Sequence, residues 1–231
     1  MQKIRVAVEK GEKWTIATAV DWPGWTRRSR GLETDTAVVT LITYATRYGQ
    51  VLQEADLVQD LGFTLPTQPT DFDLIEQNQG DAKTDFGSPA VIPAAHREPI
   101  SPAELPALQA ILRACWQAFD RAAESASGQT LRTGPRGGGR TVAKMRLHLI
   151  ESERAYVRKL ACTAPNVKNL PPLDALAQTR QACLAALAQA VNEGLPEAGP
   201  RGGKLWPPRY FVHQLAWHTL DHAWEIEDRL G

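Results

Sequence analysis

Cysteine is scarce in this chain: Cys115, Cys162 and Cys183 are three thiols in 231 residues. An odd number, widely spaced and without a Cys-x-x-Cys pair, argues against a disulfide framework and against a thiolate metal knuckle. Unpaired thiols fit a reducing compartment, so a cytoplasmic location is expected. An excess of charge is also missing, because 26 Lys and Arg balance 26 Asp and Glu. Nothing in the global charge draws the chain toward nucleic acid or an anionic membrane surface, and small molecules or proteins are the expected partners. Long apolar runs are absent too. The first residues, Met1-Gln-Lys-Ile-Arg-Val-Ala-Val-Glu-Lys10, alternate polar and apolar types where a signal peptide needs a continuous apolar stretch, and no later run is long enough to span a bilayer. Neither export nor membrane insertion is expected.

What is present divides the chain into two parts. Ile4, Val6 and Val8 alternate with polar or small residues, Gly11-Glu-Lys13 turns the chain, and a second β-like run follows from Trp14 to Val20, which reads as a hairpin. After Asp21-Trp-Pro-Gly-Trp25, Asp35 opens a helix whose apolar positions Val38, Leu41, Ile42, Ala45, Tyr48 and Leu52 recur at intervals of three and four. Phe72 to Phe86 alternates weakly around Asn78-Gln-Gly80 and predicts one more strand pair. The N-terminal part is therefore expected to be α+β over residues 1–92. A Pro-rich, aperiodic connector is read over 93–102, with His96 solvated in it. Beyond it, Leu105–Ala126, Val142–Leu160, Leu173–Asn192 and Tyr210–Leu230 each show helical spacing rich in Ala, Leu, Arg and Glu, which predicts an all-α, up-and-down four-helix bundle over 103–231. Gly134-Pro-Arg-Gly-Gly138 returns as Gly199-Pro-Arg-Gly-Gly203, each ahead of a helix-forming stretch, as two copies of one helix-loop-helix hairpin would.

Of five histidines, three fall within ten residues of the last helix: His213, His218 and His222. At about 100° per residue, His218 and His222 share a face with Leu215 and Ile226, whereas His213 points about 140° away from His218 and is expected to be a partly exposed residue near the helix start. Two imidazoles aimed at a core need partners, and the spacing leaves two readings: a metal pair, or two hydrogen-bonded core histidines. An i, i+4 pair supplies only two ligands, so an ion needs a third from another helix, and His148, flanked by Met145, Leu149 and Ser152, is the candidate. Three histidines leave positions open for water or substrate, as a catalytic ion requires, and imidazole suits zinc first, then nickel or iron. Thr219 follows His218 where metalloprotease helices carry Glu, so that chemistry is disfavoured. Glu225 and Glu151, each about a turn beyond a histidine, are candidate general bases or ring-orienting groups; the alternative is a solvated charged face shared with Glu153, Glu227 and Asp228. Arg136, Arg140 and Arg201 in the Gly-rich loops are candidates to receive an anionic cofactor group, and Tyr156, Trp217 and Trp224 are candidates to line a pocket.

Arg146-Leu-His148-Leu-Ile-Glu151-Ser-Glu153-Arg-Ala-Tyr156, taken with Ala216-Trp-His218-Thr-Leu-Asp-His222-Ala-Trp-Glu225-Ile-Glu227-Asp228, resembles the DinB-like (damage-inducible) superfamily of metal-binding four-helix bundles. The resemblance covers about residues 103–231 and implies a divalent ion held by His148, His218 and His222. It also implies a metal-dependent transferase or isomerase that uses a low-molecular-weight thiol such as mycothiol or bacillithiol. An ion that activates a bound thiol or water makes transfer to, or hydrolysis of, a small molecule the expected reaction. The N-terminal hairpin, the Asp21-Trp-Pro-Gly24 turn and the following helix are similar to the HicB-like antitoxin fold, which implies β-β-β-α-β order and, as a second reading, a non-catalytic partner-binding role. A homodimer is the expected assembly.

Overall fold

A computed structural model describes residues 3–134, 139–199 and 202–230. The chain forms two compact units, 1–98 and 99–231. Candidates Arg136 and Arg201, and most of the two Gly-Pro-Arg-Gly-Gly segments, lie outside the described residues.

Strands β1 (Ile4–Lys10), β2 (Trp14–Ala19) and β3 (Thr26–Arg30) precede the long helix α1 (Thr34–Gln53), the short helix α2 (Leu57–Leu61) and strand β4 (Phe72–Gln79). The sheet order is β3-β2-β1-β4, with β1 antiparallel to β2 and parallel to β4. The hairpin turn is closed by Asp85, whose carboxylate accepts the backbone N–H groups of Glu12, Lys13 and Trp14. Helix α1 lays Val38, Leu41, Ala45, Tyr48 and Leu52 on β2 and β3, as its spacing predicts. There Trp25 stacks on Tyr48 at 5.3 Å, donates from Nε1 to the carbonyl of Leu41 at 3.1 Å, and fixes the loop before β3.

Two expectations for this unit fail. The stretch from Phe72 to Phe86 holds one strand, not two: β4 finds its partner far away in β1, and Asp81 then caps the short helix α3 (Ala82–Asp85) by accepting from Lys83 N–H. The Pro-rich stretch contains the boundary between the two units, as a connector would, but it is not solvated throughout. Residues 94–97 form a 3₁₀ turn, Ala95 joins Ala7 and Val20 in a small core, and His96 is 2% exposed with Nε2 3.3 Å from the carbonyl of Val20.

In the second unit, Ser101 and Glu104 bond reciprocally one turn ahead of α4 (Leu105–Ser125), and α5 (Val142–Lys159), α6 (Pro172–Glu193) and α7 (Pro208–Leu230) complete four long helices. Helix α4 packs along α7 and α5 along α6, while α5 and α6 also reach α7. Phe119, Met145, Leu149 and Ile226 meet in the core. Because α7 has neighbours on several sides, it is buried nearly all round. His213 lies near the start of α7 as expected, but it is buried, 5% exposed, rather than partly exposed. No helix among the described residues is long and apolar enough to cross a membrane.

Candidate metal centre

Helix α5 carries His148 and α7 carries His218 and His222, so the packing of α5 on α7 brings together residues separated by 70 positions. One potential ligand atom from each lies within 4.8 Å of the other two, the one such group of histidines, cysteines or carboxylates among the described residues. The Nε2 atoms of His148 and His218 face each other at 3.0 Å. Ring centroids are 4.8 Å apart for His148 and His218, 5.2 Å for His148 and His222, and 4.9 Å for His218 and His222. His148 is partly exposed, whereas His218 and His222 are 9% and 6% exposed, so the cluster opens on the α5 side.

The protonation chemistry favours lone pairs over protons at this point. Burial first, then the neighbouring His222 and His148, push His218 down to about 3. Burial, His222 and the nearby Arg140 likewise lower His148. At neutral pH both rings are therefore uncharged, and only one of the two facing Nε2 atoms can carry a hydrogen. Glu225 settles the third ring. Its carboxylate is held below the usual range, first by the hydrogen bond from His222 and also by Arg229, so it is ionised. It accepts from His222 Nδ1–H at 3.2 Å, which leaves Nε2 as the ring nitrogen of His222 that can face a ligand. Arg229 donates from Nη1 to the other Glu225 oxygen at 2.9 Å and to the carbonyl of Arg140 at 2.9 Å, and from Nε to the carbonyl of Arg132 at 2.7 Å. The ring, the carboxylate and the guanidinium thus form one chain of contacts.

The donor set fits a divalent cation. Two imidazole nitrogens sharing an ion at about 2.0–2.1 Å each would stand roughly 3 Å apart when mutually cis, the separation that Nε2 of His148 and His218 already has. Three converging imidazoles, one oriented by a carboxylate, form an open ligand set with coordination positions left for other groups. Nδ1 of His218 is buried without a hydrogen-bond partner among the described residues, so only His222 of the three has an orienting carboxylate.

The other candidates separate. Glu151 is exposed and reaches His148 only as a nearby charge. Glu153, grouped with a solvated face in the sequence reading, is 0% exposed instead: it points between α4 and α6, accepting from Trp116 Nε1 at 3.2 Å. Tyr156 stands 6.0 Å from His218, with its hydroxyl pushed up by burial, and Trp217 stacks beside His218 at the same distance. Trp224 is a buried residue of α7 and is 2% exposed. Sequence reasoning missed Trp206, which packs on Tyr156 at 4.9 Å from an aperiodic stretch before α7. It also missed Arg229, although the i, i+4 spacing from Glu225 was a usable signal.

No curated protein and no solved structure matches the chain significantly. A profile of the DinB superfamily matches residues 111–226, half of the chain, a span that contains all three clustered histidines together with Glu225, and the chain belongs to that superfamily.

Proposed function

We propose that this protein is a metal-dependent enzyme in which His148, His218 and His222 hold one divalent ion, zinc before nickel or iron, in a four-helix bundle of the DinB type. The observation that carries the reading is the convergence of three imidazole nitrogens within 4.8 Å, from two helices, with protonation disfavoured at His148 and His218. A divalent ion so placed lowers the pKa of a coordinated water or thiol toward neutrality. The chain's own groups do the rest. Glu225 fixes the orientation and tautomer of His222, and Arg229 fixes Glu225. Tyr156, kept protonated through neutral pH, sets its ring beside His218, with Trp206 packed against it. Arg140 adds a positive charge close to His148 and His218, which favours an anionic nucleophile or substrate group there. The reaction class is transfer or hydrolysis, with a low-molecular-weight thiol as the first co-substrate to try.

The test compares wild type with His218→Ala in thiol-transfer and ester or amide hydrolysis assays, with zinc, nickel or iron supplied in turn. Turnover that needs a metal and is lost in the variant supports the reading; turnover retained in the variant contradicts it. A second reading, a partner-binding role for the N-terminal unit, is supported by its β-β-β-α-β order of principal elements, the order of the HicB-like fold. Copurification of a stoichiometric protein partner, lost on deleting β4, would favour it.

A further inference from the structure

Away from the histidines, a cavity of about 600 Å³ lies in the second unit between the end of α4, the start of α5 and Arg229 of α7. Two arginines line it, Arg146 and Arg229, and no aspartate or glutamate does among the described residues. Arg229 is committed to Glu225 and to two backbone carbonyls. Arg146 has no hydrogen bond or ion pair with any described residue, and its Nε is buried without a partner. A guanidinium N–H that gives up water and gains no acceptor is costly, and an anion within its reach in the cavity would remove that cost.

The rest of the lining agrees. The first turn of α5 opens onto the cavity with Thr141 as its cap and no acidic residue to neutralise the helix end. Ser127, Thr130 and Thr133 add hydroxyl groups. Carbonyls at the end of α4, which would repel an anion, are occupied: those of Ala122, Glu124, Ser125 and Ala126 accept from backbone or side-chain N–H groups of residues 126–129. Ala123, Leu131 and Val142 supply an apolar wall too large for a bare phosphate to need. Gly139 completes the wall, since a Cβ there would come 2.5 Å from the Arg229 guanidinium.

We propose that this cavity binds a small amphipathic anion, one phosphate or carboxylate head on an apolar body, with Arg146 as the residue that recognises the head. The histidines are not part of its lining; Arg229 is shared with the metal centre, and the residues varied to test the cavity, Arg146 and Ala143, are not. Calorimetric titration of the full chain tests it with four probes: octanoate, octyl phosphate, inorganic phosphate and octanol. At least one of the two amphipathic anions binds, and which one identifies the head. Inorganic phosphate and octanol bind more weakly than that anion. Arg146→Gln weakens binding by about tenfold or more, and Arg146→Lys retains most of it. Ala143→Glu, an exposed change in the first turn of α5 that suits the helix end, weakens binding in the same way by placing a like charge at the cavity. The proposal is overturned if neither anion binds at millimolar concentration, or if the anion that binds gains nothing over octanol or over inorganic phosphate. Both Arg146→Gln and Ala143→Glu binding that anion like wild type would overturn it equally.

Discussion

Replacing Glu153 by glutamine should change the way stability depends on pH. Glu153 is 0% exposed, and burial raises its carboxyl to about 7 from an ordinary 4.5, against the opposing pull of Arg180 and the Trp116 hydrogen bond. A group whose pKa is higher folded than unfolded gives its full contribution below the unfolded value and loses it as pH rises toward the folded value. Wild type should therefore weaken between pH 4.5 and about 7, by about 3 kcal/mol at ~1.4 kcal/mol per unit of pKa difference. The amide of the Glu153→Gln variant cannot ionise, keeps an oxygen to accept from Trp116, and lacks that slope. Urea denaturation of both proteins across this range measures the difference directly. Near pH 4.5 the two should be close in stability, with the variant pulling ahead up to about pH 7 and by a constant margin above it. A stability difference that stays flat across the whole range would refute the claim that Glu153 is held neutral by burial.

Glu225→Gln should lower affinity for zinc by about 10- to 100-fold while leaving the fold intact, because it weakens the contact that orients His222; equal affinity in competition titrations would mean that Glu225 orients nothing. Leu149→Ala, in the core between α5 and its neighbours, should cost about 3 kcal/mol in chemical denaturation, and a loss below about 1 kcal/mol would show that the site collapses around the gap. Cys115 and Cys183 are buried with their thiols pushed up, so a thiol reagent should label only the partly exposed Cys162 in the folded protein and all three after unfolding. Rapid labelling of all three under native conditions would contradict the core packing.

The four long helices were readable because their apolar spacing is local, and the His218–His222 pair was readable because one turn of helix places both rings on one side. His148 required a pairing of helices that local spacing does not encode; it could be named because few histidines compete for the role. Features set by distant neighbours were harder to see. Thr26-Arg27-Arg28-Ser29-Arg30 lacks the apolar alternation of a strand because β3 lies at a sheet edge, where only Thr26 and Ser29 are buried. Along β4, Phe72 alone is buried, so its pairing with β1 left almost no pattern in its own residues. Glu153 and His213 defeat a facing argument for another reason: α5 and α7 are packed on more than one side, and a polar side chain away from the main apolar stripe still enters the interior. Arg229 sits one turn after Glu225, but its role depends on the carbonyls of Arg132 and Arg140, which the fold brings back to the end of α7.

The most direct measurement is the binding stoichiometry of zinc to the full chain after chelator treatment, made on wild type, His148→Ala and His218→Ala. One equivalent bound tightly by wild type, with tight binding lost in both variants, is the expected result. No stoichiometric binding by wild type, or the same tight equivalent in both variants, would contradict a metal centre at these three histidines.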